Sequence, residues 1–288
     1  MPDHSERLLR HLERRSAEVR KLVVDAVYHA GSGHIGGALS LTDALVCLYF
    51  HHMDYDPKRP DWEDRDRFVL SKGHTCAAMY ACLALHGLFP VEELRGLRST
   101  GHFLQGHPDM RKTPGVEFTT GSLGQGLSGS IGMALAARLD DKEYRVYCAI
   151  GDGECQEGQI WEAAASASHH GLDNLCVLLD RNGLQIDGPV EEIMSIEPLP
   201  KRWRSFGWHV IEVDGHDHDE ILRALAVASE VKGQPTCIIL KTIKGKGVSF
   251  MEGSISFHGR APKDEEYQKA MEELGAELAR IDRLGVTA

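Results

Sequence analysis

The sequence predicts an α/β protein of three layers, α/β/α, with a mainly parallel sheet between two layers of helices. Three observations carry this. Short apolar runs of strand length alternate with longer helical patterns, the runs read as strands buried on both faces, and polar Gly-rich turns follow them.

Taken in order, Leu8 to Ala30 reads as one long amphipathic helix, and Gly31 is placed to cap its carboxyl end. A strand is expected near Phe68. Ser99 to Thr120 is rich in Gly, His and Pro; long irregular segments inside compact domains tend to be functional, so it is expected to be an active-site loop. Arg145 to Ile150 (RVYCAI) reads as a buried strand around Val146, Glu157 to Gly171 as a helix, and Leu175 to Asp180 (LCVLLD) as the next strand, around Val177. Further strands are expected near Val210 and Ile238, and Lys263 to Leu284 closes the pattern as a helix. No Ser/Pro/Gly-rich linker interrupts it, so residues 1–288 are expected to form a single domain.

Net charge is −11, and the only basic run, Arg7 to Lys21, lies among Leu8, Leu12, Val19, Leu22 and Val23. It reads as a solvated helix face, and nucleic-acid binding is not expected. The seven cysteines form no CxxC pair and several lie in apolar segments, as expected of buried, reduced thiols in the cytoplasm. The amino terminus is polar, no run reaches the length of a membrane span, and no membrane association is expected.

Two glycine-rich patterns are decoys. Gly31 to Gly36 fits GxGxxG but follows a helix, where a dinucleotide fingerprint must follow a strand and open a helix. Lys244-Gly-Lys-Gly247 lacks the spacing and the Ser/Thr of a nucleotide P-loop. Of the sixteen histidines, His51-His52, His169-His170, His216 and His218 lack companions at zinc spacing and read as surface or capping residues.

The chemistry-bearing signal is Gly151-Asp152-Gly153-Glu154, followed by Asn182-Gly183-Leu184. One βαβ unit carries both segments to the carboxyl edge of the sheet, where open α/β sheets bind ligands. Gly151 and Gly153 are expected to permit a sharp turn and close backbone approach. Asp152, the Asn182 side chain and the Leu184 carbonyl supply one carboxylate and two neutral oxygens, a donor set suited to Mg²⁺ beside a phosphate group.

GDG followed some thirty residues later by asparagine resembles the thiamine diphosphate enzymes. Within them Ala30 to His34, Asp66 to His74, Gly106 to Asp109, Thr119 to Gly126, Lys241 to Val248 and Phe257 to Gly259 resemble transketolase, in order and over nearly the whole chain. The resemblance implies a thiamine diphosphate-binding (diphosphate-domain) fold and covers only the amino-terminal half of a transketolase. It implies thiamine diphosphate (ThDP) and Mg²⁺ as cofactors, with Ca²⁺ or Mn²⁺ able to substitute. His34, His74, His107 and His258 would then line the channel to the cofactor's reactive carbon, with His74 and His258 also touching the cofactor. Gly121, Ser122 and Leu123 match the segment at the aminopyrimidine ring, although many transketolases have Pro where this chain has Ser122. Gly151, Asp152, Gly153, Glu154 and Asn182 match the diphosphate and metal segment. Glu157 and Glu162 match positions at a subunit interface; at i and i+5 they do not share a helix face.

The same resemblance places the activating glutamate, the pyrimidine pocket and the sugar-phosphate arginines in a pyrimidine domain and a carboxy-terminal domain absent from this chain. Its implied partner is a separately encoded carboxy-terminal subunit, in an α2β2 assembly, and the implied reaction is transfer of a two-carbon ketol unit between sugar phosphates, as in the pentose phosphate pathway. Alternatives are a related ThDP enzyme acting on a specialised sugar, and a non-catalytic binding homologue.

Overall fold

The computed structural model describes residues 4–285. Its centre is a sheet of five parallel strands: β1 (Arg67–Leu70), β2 (Val146–Gly151), β3 (Leu175–Arg181), β6 (His209–Asp214) and β7 (Thr236–Lys241). Their order is β1-β2-β3-β7-β6, so the chain leaves β3, crosses to the edge at β6 and returns to insert β7 beside β3. All five expected strands are present. A two-residue hairpin, β4 (Leu184–Gln185) with β5 (Gly188–Pro189), stands apart from this sheet.

Residue alternation along the strands builds two cores. Phe68, Leu70, Tyr147, Ala149, Leu178, Ile238 and Leu240 face one side, packed with α1 (Glu6–Ala30), α2 (Ile35–Cys47), α3 (Cys76–His86), α8 (His218–Glu230) and α9 (Asp264–Arg283). Val69, Val146, Cys148, Ile150, Val177, Leu179 and Ile239 face the other, packed with α4 (Gln125–Leu139), α5 (Gly158–His169) and α7 (Leu199–Ser205). Strands covered on both faces have no use for polar residues on either, which is why they read as unbroken apolar runs. A short helix, α6 (Val190–Met194), follows the hairpin.

Helix α1 begins at Ser5, whose hydroxyl accepts the Leu8 N–H, and ends at Gly31, whose φ of 63° lies where side-chain-bearing residues are disfavoured and whose N–H bonds the Tyr28 carbonyl. The decoy reading of Gly31 therefore holds. The solvated-face expectation for Arg7 to Lys21 does not hold throughout: Arg20 is buried, 2.5 Å from the fully buried Asp43 of α2. Only its place on the inner face of α1, opposite a carboxylate on another helix, separates it from the exposed Arg7 and the half-buried Arg10, Arg14 and Arg15 of the run.

All seven cysteines are buried and unbridged. Among the described residues no helix is long and apolar enough to cross a membrane.

Candidate functional site

Because all five strands run the same way, the residues that follow β1, β2, β3 and β7 meet along one edge, and the chemistry-bearing side chains gather there. They border a cavity of about 290 Å³ whose lining includes His34, Lys72, His74, Asp152, Asn182, Leu184, Lys244 and His258.

At the end of β2, Asp152 opens a single 3₁₀ turn, Gly153–Gln156, with φ −62° and ψ −46°. Neither Gly151 nor Gly153 has positive φ, so the turn does not need their conformational freedom. At Gly153 the lack of a side chain serves close packing instead, since a Cβ would stand 3.3 Å from Gln185 of the hairpin, whereas one on Gly151 would meet the Lys72 stem at an ordinary 3.8 Å. Asp152 is 3% exposed and accepts the N–H groups of Gly153 at 2.8 Å and Gly183 at 2.6 Å. The second bond clamps the β2 turn to the β3 turn, where Gly183 has φ 75°. Burial, with the nearby Asp180 carboxylate, raises the Asp152 pKa to about 6. A carboxylate held in that condition gains from a cation.

The Asn182 amide oxygen accepts the Leu184 N–H at 3.1 Å, and its NH₂ lies 3.3 Å from Asp180. The Leu184 carbonyl accepts from Lys244 at 3.1 Å. Asp152, Asn182 and Leu184 are thus brought together by the clamp between the two turns.

Glu154 turns inward. Its carboxylate takes the Ser71 hydroxyl and the N–H groups of Gly124 at 2.9 Å and Gly151 at 3.0 Å, pinning the Gly121–Gly124 segment to the β2 turn. Gly121 and Ser122 are exposed and Leu123 reaches the cavity lining. Glu157 caps the start of α5 by position and is exposed. Glu162 lies in the second turn of that helix and is exposed too.

The four loop histidines form one cluster although they come from four separate segments. His34 lies 5.1 Å from His74, 5.5 Å from His258 and 6.4 Å from His107, ring centre to ring centre, and His74 stacks on His258 at 5.6 Å. Burial lowers all four pKa values: His34 and His258 to about 4 and His74 to about 2, with His107 lowered too. Neighbouring cations add to the effect, Lys244 at His258 and Lys72 at His74 among them. These imidazoles are neutral at pH 7, so each offers one N–H donor and one lone pair.

Two lysines complete the site, and neither stands out in the sequence as a ligand. Lys72, after β1, is buried against the fully buried Asp180, which also receives the Ser40 hydroxyl at 2.6 Å and the Thr242 hydroxyl. Burial would raise the Asp180 pKa, but Lys72 and these donors hold it below its ordinary value. Lys244, after β7, is 2% exposed and has no carboxylate partner among the described residues. Burial, then the charge of Lys72, lowers its pKa to about 8. Both lysines follow strand ends, where such sheets bind ligands, but that position alone does not tell a buried lysine from a solvated one.

His216 and His218 depart from the surface reading. They turn inward around Asp43, His216 Nδ1 at 2.7 Å and His218 Nε2 at 3.5 Å. Adjacent polar residues near a strand end hide a buried partner from the sequence when that partner lies on a distant helix.

Known proteins resemble this chain in sequence and fold. The family described as transketolase, thiamine diphosphate binding domain, matches residues 13–281. The chain is 48% identical over 268 residues to the 6-deoxy-6-sulfo-D-fructose transketolase subunit SqwG of Clostridium sp. (strain MSTE9), covering 93% of this chain and 98% of that protein. It is 42% identical over 272 residues to an apulose-4-phosphate transketolase subunit of Phocaeicola vulgatus, covering 94% and 96%. A solved transketolase from Leishmania mexicana superposes with a TM-score of 0.87 at 33% identity, covering 96% of this chain and 44% of that one, so the chain spans under half the length of that structure.

Proposed function

Since the chain belongs to the family of transketolase thiamine diphosphate-binding domains, we propose that it is the cofactor-holding subunit of a split transketolase, requiring Mg²⁺ and moving a two-carbon ketol unit between sugars.

The observation that carries this is Lys244. A buried ammonium without a carboxylate is costly to keep charged, and a site that retains one beside a second lysine, Lys72, is built for an anion. Facing these cations are Asp152, the Asn182 amide oxygen and the Leu184 carbonyl, one charged and two neutral oxygens, as Mg²⁺ prefers. Cation and diphosphate would neutralise the two halves of the site together. The donor set fits the group, and the cavity has room for it.

When bound, ThDP supplies the nucleophilic carbon and electron sink for breaking a ketose C2–C3 bond. The chain's own residues position it and handle protons. Lys244 donates to His258 Nδ1 at 2.6 Å, which leaves the His258 proton on Nε2, free to be offered to a sugar hydroxyl. His34 Nδ1 is buried without a hydrogen-bond partner among the described residues, an unused polar atom within the cluster. Neutral imidazoles at His34, His74, His107 and His258 each carry one donor and one acceptor nitrogen with which to hydrogen-bond sugar hydroxyls. The Asp152 clamp holds the metal ligands in place without calling on the substrate.

The remaining parts of the reading are a separately encoded carboxy-terminal subunit, α2β2 stoichiometry, residues 1–288 as the diphosphate half, and a cytoplasmic location. Ile186 and Glu157 are exposed and line the cavity, and Ile193, Met194 and Glu162 are exposed too, so each is available for such a partner to cover.

A second reading of the substrate is favoured by the relatives, whose names specify a sulfonated ketose and apulose 4-phosphate. The donor would then be a specialised sugar, selected largely by the partner. The test is a ketol-transfer assay with Mg²⁺ and ThDP, on the chain alone and with its partner, using xylulose 5-phosphate and a 6-sulfonated fructose as parallel donors. Transfer by the pair alone supports the split enzyme, and the preferred donor separates the two readings. Absence of ThDP binding in both preparations overturns it.

A further inference from the structure

We propose that His216 is a positioning residue for Lys244: its neutral imidazole, protonated on Nδ1, ties the backbone beside that lysine to the buried Asp43 carboxylate.

Four facts lead there. Ile243 precedes Lys244, and its backbone N–H lies 2.8 Å from His216 Nε2. A backbone N–H can only donate, so Nε2 must present its lone pair. The ring proton then sits on Nδ1, which lies 2.7 Å from Asp43 Oδ2 and donates to it. Asp43 is itself fixed on α2, 2% exposed, with Arg20 at 2.5 Å and His218 at 3.5 Å. A protonated ring could not accept from Ile243, and the opposite tautomer would satisfy neither neighbour.

The position of the tie matters. Thr242 is held by its hydroxyl to Asp180 and by its N–H to the Arg181 carbonyl at 3.2 Å, while the Gly245 N–H reaches the Gly36 carbonyl at 2.9 Å. These secure the residues on either side. Ile243 is 40% exposed, and its N–H is satisfied by a side chain from the turn after β6. Fixing it sets the direction from which the Lys244 side chain enters the cavity to meet Leu184 and His258. His216 thereby links a buried ion cluster between α1, α2 and α8 to a site it does not touch.

This rests on the reading of Lys244 as a diphosphate ligand, and two readouts keep the proposals separable. Three variants are compared with the parent chain. His216→Gln places an amide oxygen near Nε2 and keeps an acceptor for Ile243, His216→Asn keeps a donor for Asp43 and loses that acceptor, and His216→Leu loses both. Amide exchange of the peptide spanning residues 242–246, followed by mass spectrometry, reads the tie directly. Calorimetric titration with inorganic pyrophosphate and Mg²⁺ reads its effect on the site.

The Asn and Leu variants should exchange faster in this peptide and bind pyrophosphate roughly threefold to tenfold more weakly, the loss expected of one hydrogen bond, while Gln stays near the parent. A parent-like Asn variant with an altered Gln variant would assign His216 to Asp43 packing and overturn the proposal, as would unchanged exchange in all three. Faster exchange in Asn and Leu with no pyrophosphate binding even by the parent would keep the tie and refute the role at a diphosphate site.

Discussion

Lys244 Nζ donates to the Leu184 carbonyl at 3.1 Å and to His258 Nδ1 at 2.6 Å, so one buried ammonium joins the oxygen proposed for the metal to a histidine proposed for the substrate. Its lowered pKa, about 8, makes this side chain responsive to charge brought into the cavity. An entering diphosphate strengthens the charged form, and an entering cation competes for the carbonyl.

Lys244→Met should therefore weaken Mg²⁺-dependent ThDP binding by about tenfold or more, since a charge-assisted bond to phosphate is lost. Isothermal titration measures it. Unchanged affinity would remove Lys244 from the site.

Asp152→Ala should abolish Mg²⁺-dependent ThDP binding and leave the far-ultraviolet circular dichroism unchanged. It also frees the Gly153 and Gly183 N–H groups, at a cost of about 1–3 kcal/mol for each that stays dry. Normal cofactor affinity in this variant would refute the metal assignment.

Lys72→Met removes the cation from the fully buried Asp180 and should destabilise the chain by about 3–5 kcal/mol, as measured by urea unfolding. Lys72→Met combined with Asp180→Asn should recover part of that loss. A single variant as stable as the parent would show that Asp180 does not depend on Lys72.

His34 and His258 have pKa values lowered by burial to about 4, so between about 6.5 and 4 the unfolded chain binds protons that the folded chain does not. Their stabilising contribution is complete above about 6.5 and is lost as pH falls through that window. His34→Gln with His258→Gln should make the fall of melting temperature between pH 6.5 and pH 4 shallower than in the parent. Parallel slopes would show that these imidazoles are not held neutral.

Glu157→Lys with Glu162→Lys alters two exposed side chains and should shift the stability of the isolated chain by no more than about 0.5 kcal/mol. Association with the carboxy-terminal subunit should weaken by about tenfold if these acids face it. Unaltered association would place the interface elsewhere.

The inner strands were legible because strands buried on both faces have one sequence solution, an unbroken apolar run, while β6 at the edge mixes Val210, Ile211 and Val213 with Glu212. Asp152, Asn182 and Leu184 were legible as a set because a single βαβ unit fixes both ends of it. Helices α2 and α3 were harder to read: apolar on nearly every side, they have no polar stripe to set a period. Lys72, Lys244 and the inward turn of His216 escaped for a related reason. A lysine after a strand and a histidine in a turn look the same whether they meet water or a carboxylate from a helix far away in the chain.

By itself, then, the sequence determined the parallel layering, the acidic turn with its asparagine, and the kinship of the histidine loops, since each is written in local pattern and spacing. Tertiary structure alone decided which charges lost their water. Packing α1 and α2 against the sheet buried Arg20 with Asp43, and strand order set Lys72 beside Asp180. The same order left Lys244 in the cavity without a carboxylate partner among the described residues. Desolvation depends on what lies within a few ångströms in space, and spacing along the chain does not record it.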